Sequence, residues 1–229
     1  MLLRGDGEAT LCIGQASHAW ICGQLARRWR DVEPYEDVVL AAEQHDVGWA
    51  DWDLAPTLNR ETGLPHSFTE VDQDTRMAIW EPAARKLESQ SLYAALLVSL
   101  HGCSLGFGLD QTEQQDAWIA KLHVDREQVE RNRKLVLLWD ALSLALCLRW
   151  DPYVQDGLRL ERLPGETFTL EPWPFSGDEP VVVRCEGRRL IGRHIDEETL
   201  RTALAQAPLE RLRFTLRRAS RISAPVRRH

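Results

Sequence analysis

The sequence has no apolar run that approaches the ~18 residues required for a membrane-spanning helix. Its N-terminal segment contains Asp6 and Glu8 and lacks the apolar stretch of a secretory signal peptide. It also has no internal repeat and no low-complexity segment. These absences argue against a membrane protein or a repeat architecture. They predict a cytoplasmic, globular chain, whose 229 residues are enough to bury a full hydrophobic core.

Cysteine is scarce and scattered along the chain. The cysteines are odd in number and show no CxxC spacing, at Cys12, Cys22, Cys103, Cys147 and Cys185. This pattern argues against a disulfide framework and against a zinc knuckle. We therefore expect reduced thiols, most of them buried.

Positive charge is in deficit overall, because the formal net charge is −7. The whole molecule therefore has no general attraction for nucleic acid or anionic lipid. Residues 209–229 are the exception, with seven arginines against one acidic residue, Glu210. This basic tail is either a solvated terminus or a contact for a phosphate-bearing partner. We expect a small, anionic molecule as partner, and neither nucleic acid nor a membrane.

Helical periodicity dominates the first two thirds of the chain. Helices are predicted at residues 17–29, 36–49, 73–87, 91–103, 111–122 and 126–150. A long loop, residues 52–68, contains Pro56, Gly63 and Pro65. Loops of this length inside a compact domain are often functional, for example as lids.

After residue 151 the pattern changes to short strands separated by turn signals. Strands are predicted at residues 158–163, 167–171, 181–185, 189–194 and 212–216, with a brief helix at 197–205 and an early strand at 11–13. The predicted fold is therefore mainly α: a helical bundle of residues 1–155, followed by a small β-rich C-terminal element of residues 156–229 that includes the basic tail.

The strongest chemical signal is the adjacent pair His45 and Asp46, in the segment QHDVGW at the end of an apolar helix. Adjacent helical side chains point about 100° apart, so both reach one ion only where the helix ends or where helices meet. Imidazole nitrogen and carboxylate oxygen together suit Fe, Mn, Zn, Co or Ni. The pair alone is weak evidence, because such dipeptides are common by chance.

Asp140 strengthens the case, because it lies in the segment LVLLWDALSLALCL, which is apolar on nearly every face. An ionised carboxylate in a buried helix costs several kcal/mol unless it is paired or binds a metal. The alternatives are a salt bridge to an arginine or a cap for another helix. His18 and His101 likewise lie on apolar helix stripes, where a histidine is either a ligand or a hydrogen-bonded core residue. Together these residues predict a shared metal site.

The order His18, His45-Asp46, Asp140 resembles the H…HD…D signature of the HD-domain metal-dependent superfamily. The similarity covers roughly residues 15–150. The phrases HDVGW, TGLP and SLHG, at residues 45–49, 62–65 and 99–102, resemble more closely a bacterial HD-like family of unknown function. The resemblance implies an HD-domain-like helical bundle that binds one or two divalent metal ions, with His18, His45, Asp46 and Asp140 as ligands.

Two-metal members of that superfamily add two histidines between the HD pair and the last aspartate. His101 is the candidate for the first, and His66 is either the second or an exposed loop residue. His123, among charged residues, is predicted at the surface. Many HD hydrolases have a lysine where this chain has Trp49, which weakens a phosphate-ester assignment.

Three functions follow from this interpretation. The first is hydrolysis of a small phosphate ester or nucleotide by metal-activated water, with Asp46 orienting the water and Arg133, two turns before Asp140, binding phosphate. Arg133 is alternatively an exposed helix arginine. The second function is a dinuclear-iron HD-type oxygenase. The third is a non-catalytic HD-like binding protein, in which Asp140 pairs with an arginine. The metal-dependent hydrolase is the enzyme class that we expect.

Overall fold

A computed structural model describes residues 1–219 of the chain. The basic tail predicted from the sequence begins in the last strand, and its residues 220–229 lie outside the described part. Along the chain, two strands are followed by seven helices, a set of strands and a last helix–strand pair. A hairpin of two short strands lies between the third and fourth helices.

Seven of the eight α-helices in the described residues were predicted, but two of these end early, at Gln44 and Trp80 instead of residues 49 and 87, and the short helix Ala50–Leu54 was not predicted. The helices are α1 (Gln15–Ala26), α2 (Tyr35–Gln44), α3 (Ala50–Leu54), α4 (Gln73–Trp80), α5 (Leu92–Ser104), α6 (Thr112–Leu122), α7 (Arg126–Leu148) and α8 (Glu197–Gln206), with 3-10 turns at Val47–Trp49 and Ala84–Leu87. Four of them start at a side chain that accepts a hydrogen bond from a backbone N–H of the first turn: Asp72, Ser91, Asp125 and Asp196. None of the described helices combines the length and the apolar character needed to cross a bilayer.

The strands form a seven-stranded sheet that curls into a half-barrel, in the order β1-β2-β8-β9-β7-β6-β5. Its members are β1 (Leu2–Asp6), β2 (Ala9–Ile13), β5 (Tyr153–Gln155), β6 (Leu158–Leu163), β7 (Thr167–Glu171), β8 (Val181–Ile191) and β9 (Leu209–Arg218). Neighbours are antiparallel except β7 and β9, which are parallel. The predicted loop 52–68 instead holds a separate hairpin, β3 (Leu58–Asn59) and β4 (Leu64–Pro65).

The prediction of a mainly α bundle with a small β-rich element is wrong. The chain is 45% helix and 23% strand, and the sheet is a large part of the molecule. Two sequence patterns misled the prediction: the first is in β1, and the second is the Glu-Gly dipeptide in β8. The segment Leu2–Asp6 has Gly5 and two charged residues, yet it pairs along its whole length with β2, which in turn pairs with β8. The predicted boundary at residue 155 thus divides strands of one sheet.

Gly187 explains why β8 is one strand and not the two predicted ones. The Glu-Gly dipeptide indicates a turn in sequence, but here it lies inside the strand, opposite Ile13. A Cβ at Gly187 would lie 3.0 Å from Leu11 and 3.2 Å from the carbonyl oxygen of Cys12. The glycine therefore allows β2 to approach β8 closely, a role that glycine often has within strands.

The main core lies between the helices and the inner face of the sheet. α1 packs against α2, α7 and β8, and α7 contacts β1 and β5, so these two helices join the helical layer to the sheet. Trp29, which follows α1, contacts Trp139 of α7 and Phe175 edge-to-face, with ring centroids 5.7 and 5.2 Å apart. Of the helices that carry predicted site residues, α1 and α7 pack on strands of the sheet, and α2 and α5 pack against these helices.

Gly48 lies where the turn after α2 meets α4, and we expect Gly48→Ala to destabilise the protein. An added Cβ would clash with the carbonyl oxygen of Ile79 and lie 3.0 Å from the Cβ of Ala83. Overpacking of this kind costs about 1–3 kcal/mol, measured as the free energy of unfolding in urea. The control is Gly5→Ala, whose Cβ meets nothing within 4 Å. Equal stability of the two variants would contradict the prediction.

Candidate metal centre

Four separate helical elements bring five buried polar side chains to one point. His18 comes from α1, His101 from α5 and Asp140 from α7, while His45 and Asp46 follow directly after α2. Because α2 ends at Gln44 and not at the predicted residue 49, His45 and Asp46 stand at a helix end, where both can turn toward the same space. All five residues are buried.

The distances within this cluster fit a shared ion. His45 Nε2 lies 3.4 Å from Asp140 Oδ1 and 3.5 Å from Asp46 Oδ2. His18 Nε2 lies 2.6 Å from Asp46 Oδ2, and His101 Nε2 lies 3.7 Å from Asp140 Oδ2. Two donor atoms that each lie about 2.1 Å from one ion can be at most about 4.2 Å apart. All four distances are within this limit.

Hydrogen bonds on the far side of two rings orient them. His45 donates from Nδ1 to the carbonyl oxygen of Ala42 at 2.9 Å. His18 Nδ1 lies 2.7 Å from Ser143 Oγ, whose hydroxyl donates to the carbonyl oxygen of Asp140. Since that hydroxyl proton is already used, Ser143 accepts from His18. Both rings therefore carry a proton on Nδ1 and direct Nε2 at the cluster, the arrangement typical of metal-bound histidines.

No lysine or arginine pairs with the cluster's carboxylates in the part of the chain that is described. The partners of Asp46 and Asp140 within 4.0 Å are histidines alone. In addition, His45 Nε2 and His101 Nδ1 have no hydrogen-bond partner among these residues. The salt bridge from Asp140 to an arginine, which the sequence left open, is not formed there.

The pKa directions follow from this concentration of charge. Burial opposes a positive charge on His18, but the hydrogen bond and charge of Asp46 outweigh it and raise the pKa to about 9. His101 is buried beside His45, and its pKa falls to about 4. Burial would raise the pKa of Asp140, yet the nearby His45 and the charges of His101 and His18 lower it. The two carboxylates thus favour positive charge at this buried site.

Two residues near the cluster were missed as site candidates. Cys22, one helical turn after His18, has its Sγ within 4.8 Å of ring nitrogens of His18 and His45. Ser143 bridges His18 to α7, as described above. Two groups of described residues could therefore hold an ion, namely His45, His101 and Asp140, and His18, Cys22 and His45. The i, i+4 spacing of His18 and Cys22 was the available signal.

The cluster opens into a pocket with a volume of ≈ 360 Å³. Its base contains His18, Asp46, His101 and Asp140, and its walls are largely aromatic or aliphatic. The wall residues are Gln15, Trp49, Phe68, Thr69, Arg76, Trp80, Leu105, Phe107 and Leu144. Of the loop predicted at residues 52–68, only Phe68 reaches this pocket. Gln15, Arg76 and Trp80 were not predicted, because no motif distinguishes them in sequence.

The structure does not bring His66, Arg133 or His123 to the cluster. His66 follows the β3–β4 hairpin and its Nδ1 hydrogen-bonds Thr57 Oγ1 at 2.9 Å. Arg133 forms a two-pronged ion pair with Glu130 on α7, at 2.7 and 2.8 Å. His123 is exposed at the end of α6. None of the three lines the pocket.

The chain belongs to a family described as "Protein of unknown function (DUF3891)", whose family model matches residues 1–191. No curated protein and no solved structure matches the chain.

The resemblance to the HD-domain superfamily is wrong. The family that matches is DUF3891, and the chain has a seven-stranded curled sheet where an HD domain is a helical fold. The descriptions as an HD domain, a helical bundle, a hydrolase and a phosphohydrolase rested on that resemblance and have no support from the family. The short motif misled because a few ligating residues in a given order do not determine the elements around them.

Proposed function

We propose that this member of the DUF3891 family binds a divalent metal ion between His18, His45, Asp46 and Asp140, and that the ion interacts with a small molecule in the adjacent pocket. The observation that carries the proposal is the environment of His45 Nε2. This buried nitrogen faces two carboxylate oxygens and has no hydrogen-bond partner among the described residues.

Three hydrogen-bond acceptors of the cluster, from His45, Asp46 and Asp140, face one another. Because His45 donates from Nδ1 to Ala42, its Nε2 presents a lone pair to Asp46 and Asp140. Lone pairs on all three groups repel unless a proton or a cation lies among them. At 3.4 and 3.5 Å the atoms are too far apart for good hydrogen bonds but well placed around an ion.

His18 supports the same conclusion from the opposite side. Its Nδ1 donates to Ser143, so Nε2 is left for Asp46 Oδ2 at 2.6 Å, a contact that requires either a shared proton or a bound cation. A buried carboxylate pair with no lysine or arginine partner in the described chain is costly. A divalent cation offsets that cost and satisfies both histidines at once.

The donor set indicates the class of metal. Imidazole nitrogen with carboxylate oxygen suits Fe, Mn, Zn, Co or Ni better than Mg or Ca. Asp140 directs Oδ1 toward His45 and Oδ2 toward His101, so a second ion beside His101 would share this carboxylate. We therefore propose one or two ions.

A bound ion of this class lowers the pKa of a coordinated water and polarises an oxygen of a bound molecule. The chain's own residues then have distinct tasks. Asp46 and Asp140 would supply negative charge and acceptor oxygens, whereas the aromatic side chains give the pocket largely apolar walls. Phosphate-ester hydrolysis and an oxygen-dependent reaction both stay hypotheses about how this centre is used.

A panel of phosphate esters, assayed with and without oxygen, distinguishes these hypotheses. Phosphate release that does not require oxygen would support the hydrolytic one. Oxygen-dependent product formation with two irons would support the second. Tight ligand binding with neither reaction would identify a non-catalytic binding protein.

The proposed partner is a small molecule. A volume of ≈ 360 Å³ is near the lower end of the ~300–1,000 Å³ that ligand pockets span. The net charge of −7 gives no attraction for nucleic acid or anionic lipid. The cytoplasmic location stays a prediction from the sequence.

Metal content tests the proposal directly. Protein purified without chelator should contain about one or two equivalents of a single metal from this class by elemental analysis. The matched control is His66→Ala, which removes an imidazole outside the cluster and should leave the metal content unchanged. Cobalt-substituted protein adds a spectroscopic readout, since a thiolate charge-transfer band would show that Cys22 also binds. Wild-type protein that neither retains nor takes up stoichiometric metal would overturn the proposal.

A further inference from the structure

We infer that Arg76 binds a carboxylate or phosphate group of the small molecule, and that the rest of this molecule is an apolar, planar body directed at the metal cluster. The inference rests on the proposed function, because it names the class of ligand for the same pocket. It replaces the sequence-based role of Arg133, which lies outside that pocket.

Arg76 is held in place by the backbone. Its Nη2 donates to the carbonyl oxygen of Val71 at 3.0 Å and lies 3.5 Å from those of Phe68 and Thr69. Its guanidinium carbon stands 5.8 Å from the ring centroid of Phe107. The carbonyl contacts occupy a single nitrogen, so the side chain is positioned without being neutralised.

The charge of Arg76 has no counter-ion in the described part of the chain. No carboxylate lies within 4.0 Å of it, and its Nε and Nη1 have no hydrogen-bond partner there. Among the residues that line the pocket, Arg76 is the single lysine or arginine. A half-buried, pre-positioned guanidinium with two free donor groups is suited to a two-pronged contact with a carboxylate or phosphate.

Aromatic rings connect Arg76 to the metal cluster. Phe107, under the guanidinium, lies 6.0 Å from Trp80 between ring centroids, and Trp80 lies 5.7 Å from His101. Gly102 permits this row, because a Cβ there would lie 2.7 Å from the Trp80 ring. A molecule bound along the row would contact aromatic faces for most of its length, which favours a planar, apolar body.

The charges at the two ends set the orientation. At the base of the pocket the proposed ion and the histidines offset the charges of Asp46 and Asp140, whereas the charge of Arg76 has no counter-ion in the described part of the chain. The anionic group therefore lies at Arg76, and the opposite end of the molecule approaches the cluster.

Binding of a matched set of probes tests the inference. The probes are phenyl phosphate, 4-phenylbutyrate and its neutral amide, 4-phenylbutyramide, measured by calorimetry and by quenching of tryptophan fluorescence. Wild-type protein should bind the anions more tightly than the amide. Arg76→Met should weaken the binding of the anions by about 10- to 100-fold, the effect of losing a charge-assisted hydrogen bond, and leave the amide unchanged. The two anions show whether phosphate or carboxylate is preferred.

Three comparisons keep the result interpretable. Arg76→Lys retains the charge and should recover part of the affinity, while Arg133→Met removes an arginine outside the pocket and should have no effect. Metal content measured on the same samples should be normal in Arg76→Met. Chelator-treated protein should show the same dependence on Arg76, so that loss of the metal and loss of the anion site are separately detected. Equal affinity for acid and amide, or an Arg76→Met variant that binds anions normally, would overturn the inference.

Discussion

Asp140→Asn is expected to reduce the affinity for the proposed metal ion by more than about 100-fold, because mutation of residues that merely orient ligands already costs about 10- to 100-fold. The amide keeps the size of the side chain but removes the negative charge and one acceptor oxygen. His45→Ala is expected to have a similar effect, since it removes the nitrogen that faces both carboxylates. Elemental analysis after gel filtration and titration of chelated protein with Zn²⁺ measure both variants.

The control for this prediction is Asp116→Asn. Asp116 is exposed on α6 and pairs with Arg126, so the same chemical change is made far from any buried charge. Its metal content should equal that of the wild type. If Asp140→Asn retains wild-type metal content and the metal-free protein becomes more stable, then Asp140 is a buried carboxylate without a ligand role.

Trp139→Ala is expected to lower the free energy of unfolding by about 3–5 kcal/mol, the range for removing a large aromatic side chain from a core. Trp139 is fully buried at the centre of α7 and contacts Trp29 edge-to-face at 5.7 Å. The cavity left by the indole would adjoin Trp29, which also contacts Phe175 edge-to-face. Urea denaturation followed by circular dichroism gives the difference.

Trp150→Ala is the matched control, because Trp150 follows α7 and is 41% exposed. It contacts Tyr153 at the surface, and its removal should cost much less than that of Trp139. A similar loss of stability in both variants would show that the packing of helices on the sheet is not the main source of stability. If refolded Trp139→Ala still binds metal at the wild-type level, its loss of stability comes from core packing and not from displaced metal ligands.

The members of the cluster could be selected from the sequence for a physical reason. Asp140 lies in an apolar helix, and a carboxylate there requires a partner. His18 and His101 also occupy apolar stripes, and the structure brings both to Asp140. His66 lacked this signal because it lies among loop residues, and the structure places it elsewhere. The most informative signal for a cluster residue was its position among apolar residues that must be buried.

Arg76 and Arg133 show what such reasoning misses. Arg133 was chosen for its spacing along α7, but its nearest acid, Glu130, lies on the same helix and binds it. Arg76 carries no local signal, since its place in the pocket depends on carbonyl groups of a preceding loop and on Phe107 from another segment. Helical spacing predicts which residues share a face and does not predict which charges stay unpaired.

Most of the helices and the polar residues of the cluster could be predicted from the sequence, because they follow from local periodicity, capping side chains and the cost of burying charge. Tertiary packing determines that β1 and β2 join β8 in one sheet, since strand pairing links residues that are far apart in the chain and leaves little local trace. It likewise determines which buried groups face one another. α1 packs on β8 of the sheet and against α2 and α7. This packing brings Nε2 of His45 to 3.4 Å from Oδ1 of Asp140.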